Sequence, residues 1–454
     1  MESPFSFEPL LIFGFLGLML LAGVFLRAVV PAFQRLLFPG CLLGGLLGLI
    51  LVSTGVVTVS SSVLETMAYH AFNISFISVG LTRSDPQGKP PAGKRVRLKG
   101  PLWMALVQGV TFPLQAVLGG LLAIGFGLVG LELFPTFGFL VPLGFNEGPG
   151  QALSLGKVWE TLGFQHAATI GLSFATIGYL FSFFVGVPLV NRGLRKGWSG
   201  RGPAELPREL LTGLFARGEK GGSAGRVMLH GGNADSLAFQ AALVGLVYLI
   251  TYAGVRFLAG LLPPDAGRIL WGFFFFFGLA VALGVRGLMG GIRVDHLVDP
   301  GVQRRMTGAA VDFLIVTTVT AIQLPILRDY LVPVAVIALA NGIATTAVVV
   351  ALGRRSGAYS LERTAAMFGT VTGTVSCGLL LLRIADPEFR TPVAVDIGVM
   401  NVFALPVVGG CTVLVNGPLW WGWTTAATVG VFAGILLLAL ILLRFVARWD
   451  EFPS

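Results

Sequence analysis

The chain has 454 residues, of which 55% are hydrophobic and only 12% charged; a soluble domain carries about 25% charge. The formal net charge of +9 does not point to nucleic acid, because the basic residues fall in short segments between apolar stretches, the pattern of the positive-inside bias. Four histidines and three separated cysteines (Cys41, Cys377 and Cys411) supply neither a disulfide framework nor a zinc site, and no nucleophile–base set that would make the chain an enzyme.

Apolar stretches of about 20 residues, the length that crosses a bilayer, recur from end to end. Residues 1–8 are acidic and polar, and no small-residue cleavage pattern follows them, so the first stretch reads as a crossing helix rather than a removable leader. Spans are expected at about 9–29, 38–57, 63–81, 101–130, 166–190, 237–258, 269–289, 307–326, 331–351, 393–414 and 419–443. Many of the 63 glycines lie inside them, where small residues let helices approach closely in lipid.

Charge sets the orientation. Segment 82–100 holds Arg83, Lys89, Lys94, Arg95, Arg97 and Lys99 against one acid. Segment 191–230 holds Arg192, Arg195, Lys196, Arg201, Arg208, Arg217, Lys220 and Arg226 against three acids. Both are expected in the cytoplasm. With 101–130 leading out and 166–190 leading back, the apolar segment 133–163 begins and ends outside. The simplest geometry is a re-entrant helical hairpin with its tip near 144–150; a pair of ordinary kinked spans is the alternative. In the second half, Arg286, Arg293, Arg304 and Arg305 mark one inner loop and Arg354, Arg355 and Arg363 the next, while Arg444 and Arg448 place the C-terminus inside. Segment 361–390 then begins and ends inside, as a second hairpin with its tip near 372–378.

The expected fold is therefore all-α: a polytopic membrane transporter of about eleven spans and two hairpins, with the N-terminus outside. Residues 1–190 form one repeat and 237–414 an inverted copy. The Gly-, Arg- and Pro-rich stretch 191–236 is a cytoplasmic linker, and 415–454 an additional helix and tail. Inverted repeats with broken helices near the midplane are a transporter signature, and the breaks mark the substrate site, since irregular backbone is tolerated at that depth only inside protein or beside water.

Candidate ligands follow from these breaks. The first tip reads Gly144, Phe145, Asn146, Glu147, Gly148, Pro149, Gly150. Its glycines allow a tight reversal, and a carboxylate at membrane depth calls for a partner, a proton or a cation. In the second tip, Thr370, Thr372, Thr374 and Ser376 offer hydroxyls to a carboxylate or to Na+. Two further helices, expected to be interrupted, hold Asn73 with Ser75 and Ser78, and Asp312 with Thr317 and Thr320. Asn146, Glu147, Gly148, Gly150, Thr372, Thr374, Ser376, Arg383 and Asn401 are the expected substrate contacts. Arg383 suits an acidic solute through bidentate bonds, or snorkels to headgroups. Asn73, Ser75, Asp312, Thr317 and Thr370 are the expected ligands of the coupling ion, Na+ or a proton.

Several stretches carry a resemblance. Phe38-Pro39-Gly40 precedes Leu43-Gly44-Gly45-Leu46-Leu47. Ile77 to Leu81 forms an isoleucine–glycine–leucine segment. A block from Gly144 to Pro188 includes Ala152, Trp159, Gly163, Phe164, Ala167, Thr169, Phe174, Ala175, Thr176, Gly178 and Gly186. With Gly373 to Gly378, these resemble the bacterial sodium/glutamate symporter family. The resemblance implies an inner-membrane homodimer that imports an acidic amino acid with sodium, moving an elevator-like domain that holds the hairpins. The first tip departs from that family's Gly-Gly-His-Gly by adding Glu147. A channel, or a scaffold of the same fold that has lost transport, is the alternative class; channels more often build their path on a symmetry axis.

Overall fold

The computed structural model describes residues 7–82, 98–199, 206–215, 225, 227–228, 232–357, 359–387 and 390–448. Its main helices in chain order are α1 (Glu8–Val29), α2 (Gly40–Ser53), α3 (Ser61–Leu81) and α4 (Lys99–Leu128). Then come α5 (Leu140–Phe145), α6 (Pro149–Thr161), α7 (Ala167–Phe184), α8 (Gly186–Arg195), α9 (Ser236–Gly260) and α10 (Phe274–Gly291). The last are α11 (Pro300–Thr320), α12 (Leu331–Gly353), α13 (Ser360–Thr372), α14 (Val375–Ala385), α15 (Val393–Leu414) and α16 (Thr425–Arg448). No strand occurs among the described residues.

Among the described residues, eight helical runs are long and apolar enough to cross a membrane: α1, α4, α7 with α8, α9, α10, α12, α15 and α16. The protein is thus an all-helical, polytopic membrane protein. Three expected spans are not among the eight. α2 has 14 residues, about 21 Å of helix, and α3 and α11 carry polar side chains along their 21 residues each. Neither α3 nor α11 is interrupted as expected; α3 is unbroken past Asn73 and Ser75, and α11 is unbroken past Asp312 to Thr320. Of the expected inner-loop residues, Arg83, Lys89, Lys94, Arg95, Arg97, Arg201, Arg217, Lys220 and Arg226 lie outside the described residues.

The helices pack as two bundles. In the first, α1 lies on α2, α2 and α3 lie on α11, and α3 also lies on α10, which packs against α9. The α1–α2 approach is close: a β-carbon on Gly23 would collide with the backbone of Gly40 and Gly44, the small-residue contact that membrane helices use in place of hydrophobic drive. In the second, α4 contacts α12, α15 and α16, and α5–α8, α13 and α14 pack around it. The bundles meet where α6 crosses α3, α11 and the short helix Pro264–Gly272 that packs on α9.

Both broken segments reverse direction. Leu140 and Gly144 of α5 face Gly171 and Ala175 of α7, so those two helices run parallel. On the return, Ala152 and Gly156 of α6 face Gly171 and Ala168, so α6 runs antiparallel to α7. The base of this hairpin closes with Phe134 stacked on Phe164, ring centroids 4.6 Å apart. In the second hairpin Gly369 abuts Cys377, and Gly378 abuts Ala366 and Thr370; a continuous helix would hold residues 366 and 378 about 18 Å apart. The reversals fall at 146–148 and 373–374, within the expected windows, but the first outgoing arm is only a 3-10 turn and the six residues of α5.

Along α7 and α8 the neighbours run in order. Ala168 meets Gly156, Ala175 meets Gly144, Gly178 meets Phe145 and the Thr372 carbonyl, Gly186 meets Phe368 and Leu381, and Gly193 meets Leu361. The two hairpins therefore approach from opposite ends of one helical line, and their tips meet part-way along it. The first base is aromatic: Phe137 and Tyr330 lie 5.8 Å apart, and the buried Trp159 indole donates to Asn416 Oδ1 at 2.7 Å. The second base is basic: the Arg354 guanidinium sits 4.5 Å over the Trp198 ring, and Arg363 reaches the Ser356 carbonyl at 2.8 Å.

Candidate functional site

The first tip is held by backbone that only glycine adopts easily. Gly148 has φ +93° and ψ −177°, a region essentially reserved for glycine. A β-carbon there would press on Thr374 Cγ2 and the Gly373 carbonyl, so this residue both turns the first hairpin and touches the second. Pro149 follows as the first helical residue of α6, where its missing N–H costs nothing. Gly150 packs on the Phe72 ring of α3.

Polar side chains line the meeting point. Asn146 is buried, and its Nδ2 donates to Thr111 Oγ1 of α4 at 3.0 Å. Glu147 is half-buried and accepts from Gln151 Nε2 at 3.5 Å; it forms no ion pair among the described residues. In the second tip Thr372 Oγ1 lies 2.6 Å from the Phe368 carbonyl and 2.7 Å from Ser182 Oγ, and Thr374 Oγ1 lies 3.6 Å from Cys377 Sγ. Thr370 donates to the Ala366 carbonyl at 2.8 Å. Ser376 is exposed, one residue into α14.

The remaining expected ligands spread further. Ser75 donates to the Phe72 carbonyl at 2.7 Å. Asn73 is fully buried beside the Tyr69 and Tyr248 hydroxyls, with neither amide atom in hydrogen-bond geometry among the described residues. Thr317 is buried on α11. Asp312 is exposed on that helix, within reach of the Cys41 thiol of α2. Arg383 is exposed on α14, and Asn401 is exposed on α15. The packed face of α15 carries Ile397, Met400, Ala404 and Val408, so Asn401 points away from the tips. Asp396, one turn before Met400 on that helix, is buried with its Oδ2 3.7 Å from Arg363 at the basic base.

Sequence reasoning missed the contribution of α4 and α12. Gln108, Thr111 and Gln115 form one stripe of α4, at the i, i+3, i+7 spacing of a single helix face. Gln115 Nε2 donates to Thr345 Oγ1 of α12 at 3.1 Å and to the Val371 carbonyl of α13 at 3.0 Å. Asn341, one turn before Thr345, is buried too. The signal was present as amides spaced by turns in otherwise apolar helices, where each is costly unless bonded. No group of three or more His, Cys, Asp or Glu side chains suited to a metal ion occurs among the described residues.

The site so defined is a cluster of buried polar side chains where two opposed helical hairpins meet in an all-helical membrane protein. No family model matches the chain, and no curated protein matches it.

Proposed function

We propose that the protein is a secondary active transporter that carries a small carboxylate or amino acid, glutamate being the first candidate, together with Na+. The observation that carries this reading is the contact of Gly148 in one hairpin with Gly373 and Thr374 in the other. Two helix reversals meeting inside protein leave backbone groups outside helical pairing, which can hold a polar solute at membrane depth. The basic base of the second hairpin is the cytoplasmic side, and the aromatic base of the first faces outward across a bacterial inner membrane. Counting α2, α3 and α11 as crossings gives eleven spans in two inverted repeats, with the N-terminus outside and the C-terminus in the cytoplasm. The hairpin bundle moves as an elevator-like body against the α1–α3 and α9–α11 bundle, which offers the surface for a homodimer. The stretches that resemble the sodium/glutamate symporters support this assignment.

Uptake into proteoliposomes tests it, with labelled glutamate, other amino acids and dicarboxylates supplied under an imposed sodium gradient. Accumulation is expected for one of these solutes and is abolished when the sodium gradient is collapsed. Uptake that ignores both sodium and proton gradients would sink coupled transport, and single-channel currents would replace the carrier by a pore.

A further inference from the structure

At the base of the second hairpin, far from the tips, cations gather without acids to meet them. Trp198 follows α8; the Arg354 guanidinium lies 4.5 Å from its ring centroid and Lys196 Nζ 5.9 Å. The two charges are thus no farther apart than those distances combined. The segment is fixed in place: the Trp198 carbonyl accepts from Ser360 Oγ at 3.3 Å, and the Ser199 hydroxyl donates to Glu362 Oε1 at 2.7 Å. Arg195 and Arg355 adjoin the two cations in sequence, and Arg192 lies one turn earlier on α8. All five side chains are exposed, and none forms an ion pair among the described residues. The acids of this base are buried and engaged elsewhere: Glu362 with Ser199, Asp396 with Arg363, and Asp386 with the N–H groups of Arg390 and Thr391.

Both cations stand where a crossing run ends. Lys196 follows the run Ala167–Arg195, and Arg354 follows the run Leu331–Gly353. On α8, Val187, Val190 and Leu194 are buried on one face, while Arg192 and Arg195 are exposed on the other. Tyr359, 44% exposed between Arg355 and the hairpin, is an aromatic of the kind enriched at headgroup depth. Attraction to the Trp198 ring offsets part of the repulsion between Lys196 and Arg354, and an anion beside them relieves the rest. The anion abundant at this depth is lipid phosphate, whose oxygens suit a guanidinium fork, and clustered cations next to a crossing helix attract anionic lipid.

We propose that Lys196 and Arg354, set on the Trp198 ring, bind the phosphate headgroup of an anionic phospholipid, with Arg192, Arg195 and Arg355 strengthening the local field. Its assignment to the cytoplasmic leaflet rests on the orientation given above; the site itself does not. A headgroup held here ties the end of α8 to the base of the second hairpin from outside, as Ser199 and Glu362 tie it from within.

Thermal unfolding of the full chain in non-ionic detergent tests the site without any uptake measurement. Melting temperature is followed against added phosphatidylglycerol, with phosphatidylethanolamine and inorganic phosphate as parallel arms. Phosphatidylglycerol is expected to stabilise the wild-type protein saturably, as any ligand of the folded state does, and the other two are not. Lys196→Gln combined with Arg354→Gln is expected to raise the half-saturating lipid fraction by about tenfold or more. Arg304→Gln with Arg305→Gln, which removes two exposed cations from another inner loop, is expected to leave it unchanged. Should the first pair fail to fold, Lys196→Gln with Arg195→Gln, both on exposed side chains, carries the same test. The site is overturned if both lipids shift melting equally, if inorganic phosphate replaces the lipid, or if the Arg304 and Arg305 pair matters as much as Lys196 and Arg354. A lipid shift that survives in a protein showing no solute uptake under any gradient would sink the transporter and leave the site standing. Gradient-driven uptake with no lipid-specific shift would do the reverse.

Discussion

At the scale of single residues, the tips depend on side chains that are missing as much as on those present. Gly148 occupies a conformation that costs other residues roughly 1–3 kcal/mol, and the space its β-carbon would need is held by Thr374 and the Gly373 carbonyl. Gly148→Ala is expected to lower stability by about that amount, read as a lower melting temperature, and to depress uptake more strongly than stability. A variant with wild-type melting and uptake would show that the tips do not press together. This residue was legible in advance, because a Gly-Pro-Gly run between apolar arms has few other uses. Asn401 was not. Its depth along α15 could be counted from the sequence, but the face it occupies depends on how that helix is rotated, and rotation is set by neighbours far away in the chain. Gln115 was hidden for a related reason: one amide in an apolar helix gives no hint that its partners are Thr345 and Val371.

The two chain reversals were the elements most legible in the sequence, because small and polar residues interrupt the apolar segments 133–163 and 361–390 near their middles. Packing now brings Phe134 against Phe164 and Leu361 against Gly193. Single cysteines at Glu132 and Gln165 are therefore expected to react with an impermeant thiol reagent from one side of sealed vesicles, and cysteines at Tyr359 and Arg390 from the other. Labelling of Glu132→Cys and Gln165→Cys from different sides would remove the first hairpin. The sequence did not announce the helix contacts between bundles. On α6, Lys157 Nζ lies 2.8 Å from Glu65 Oε2 of α3 and 2.7 Å from Glu160 Oε2, while Glu160 Oε1 also accepts from the Ala168 N–H at 3.1 Å. Glu160 thus keeps a donor if Lys157 is removed, whereas Glu65 is 5% exposed and is left as a buried carboxylate. Lys157→Met is expected to cost roughly 1–3 kcal/mol, with the half-exposed lysine keeping the figure toward the lower end. Adding Glu65→Gln should restore part of that loss, because the stranded charge goes with it. Strict additivity of the two changes in a melting series would show that the pair is not coupled.

For the whole molecule the decisive relation is between the tips, which belong to opposite halves of the chain and yet touch. If solute enters the pocket by passing between them, fixing them together stops transport without disturbing either bundle. In a background with Cys41, Cys377 and Cys411 replaced by alanine, Gly148→Cys with Thr374→Cys places two thiols across the existing contact. Strain at position 148 makes the reduced double variant the proper reference, rather than the wild-type chain. Oxidation is expected to lower its uptake at least about tenfold, with recovery on reduction, while the melting temperature stays level or rises because a cross-link restrains the unfolded chain. Unchanged uptake in fully cross-linked protein would mean that the tips travel as one body, with access gained at the interface where α6 slides over α3 and α11. The ion pair of Lys157 with Glu65, which spans that interface, would then be the contact that has to break in each cycle.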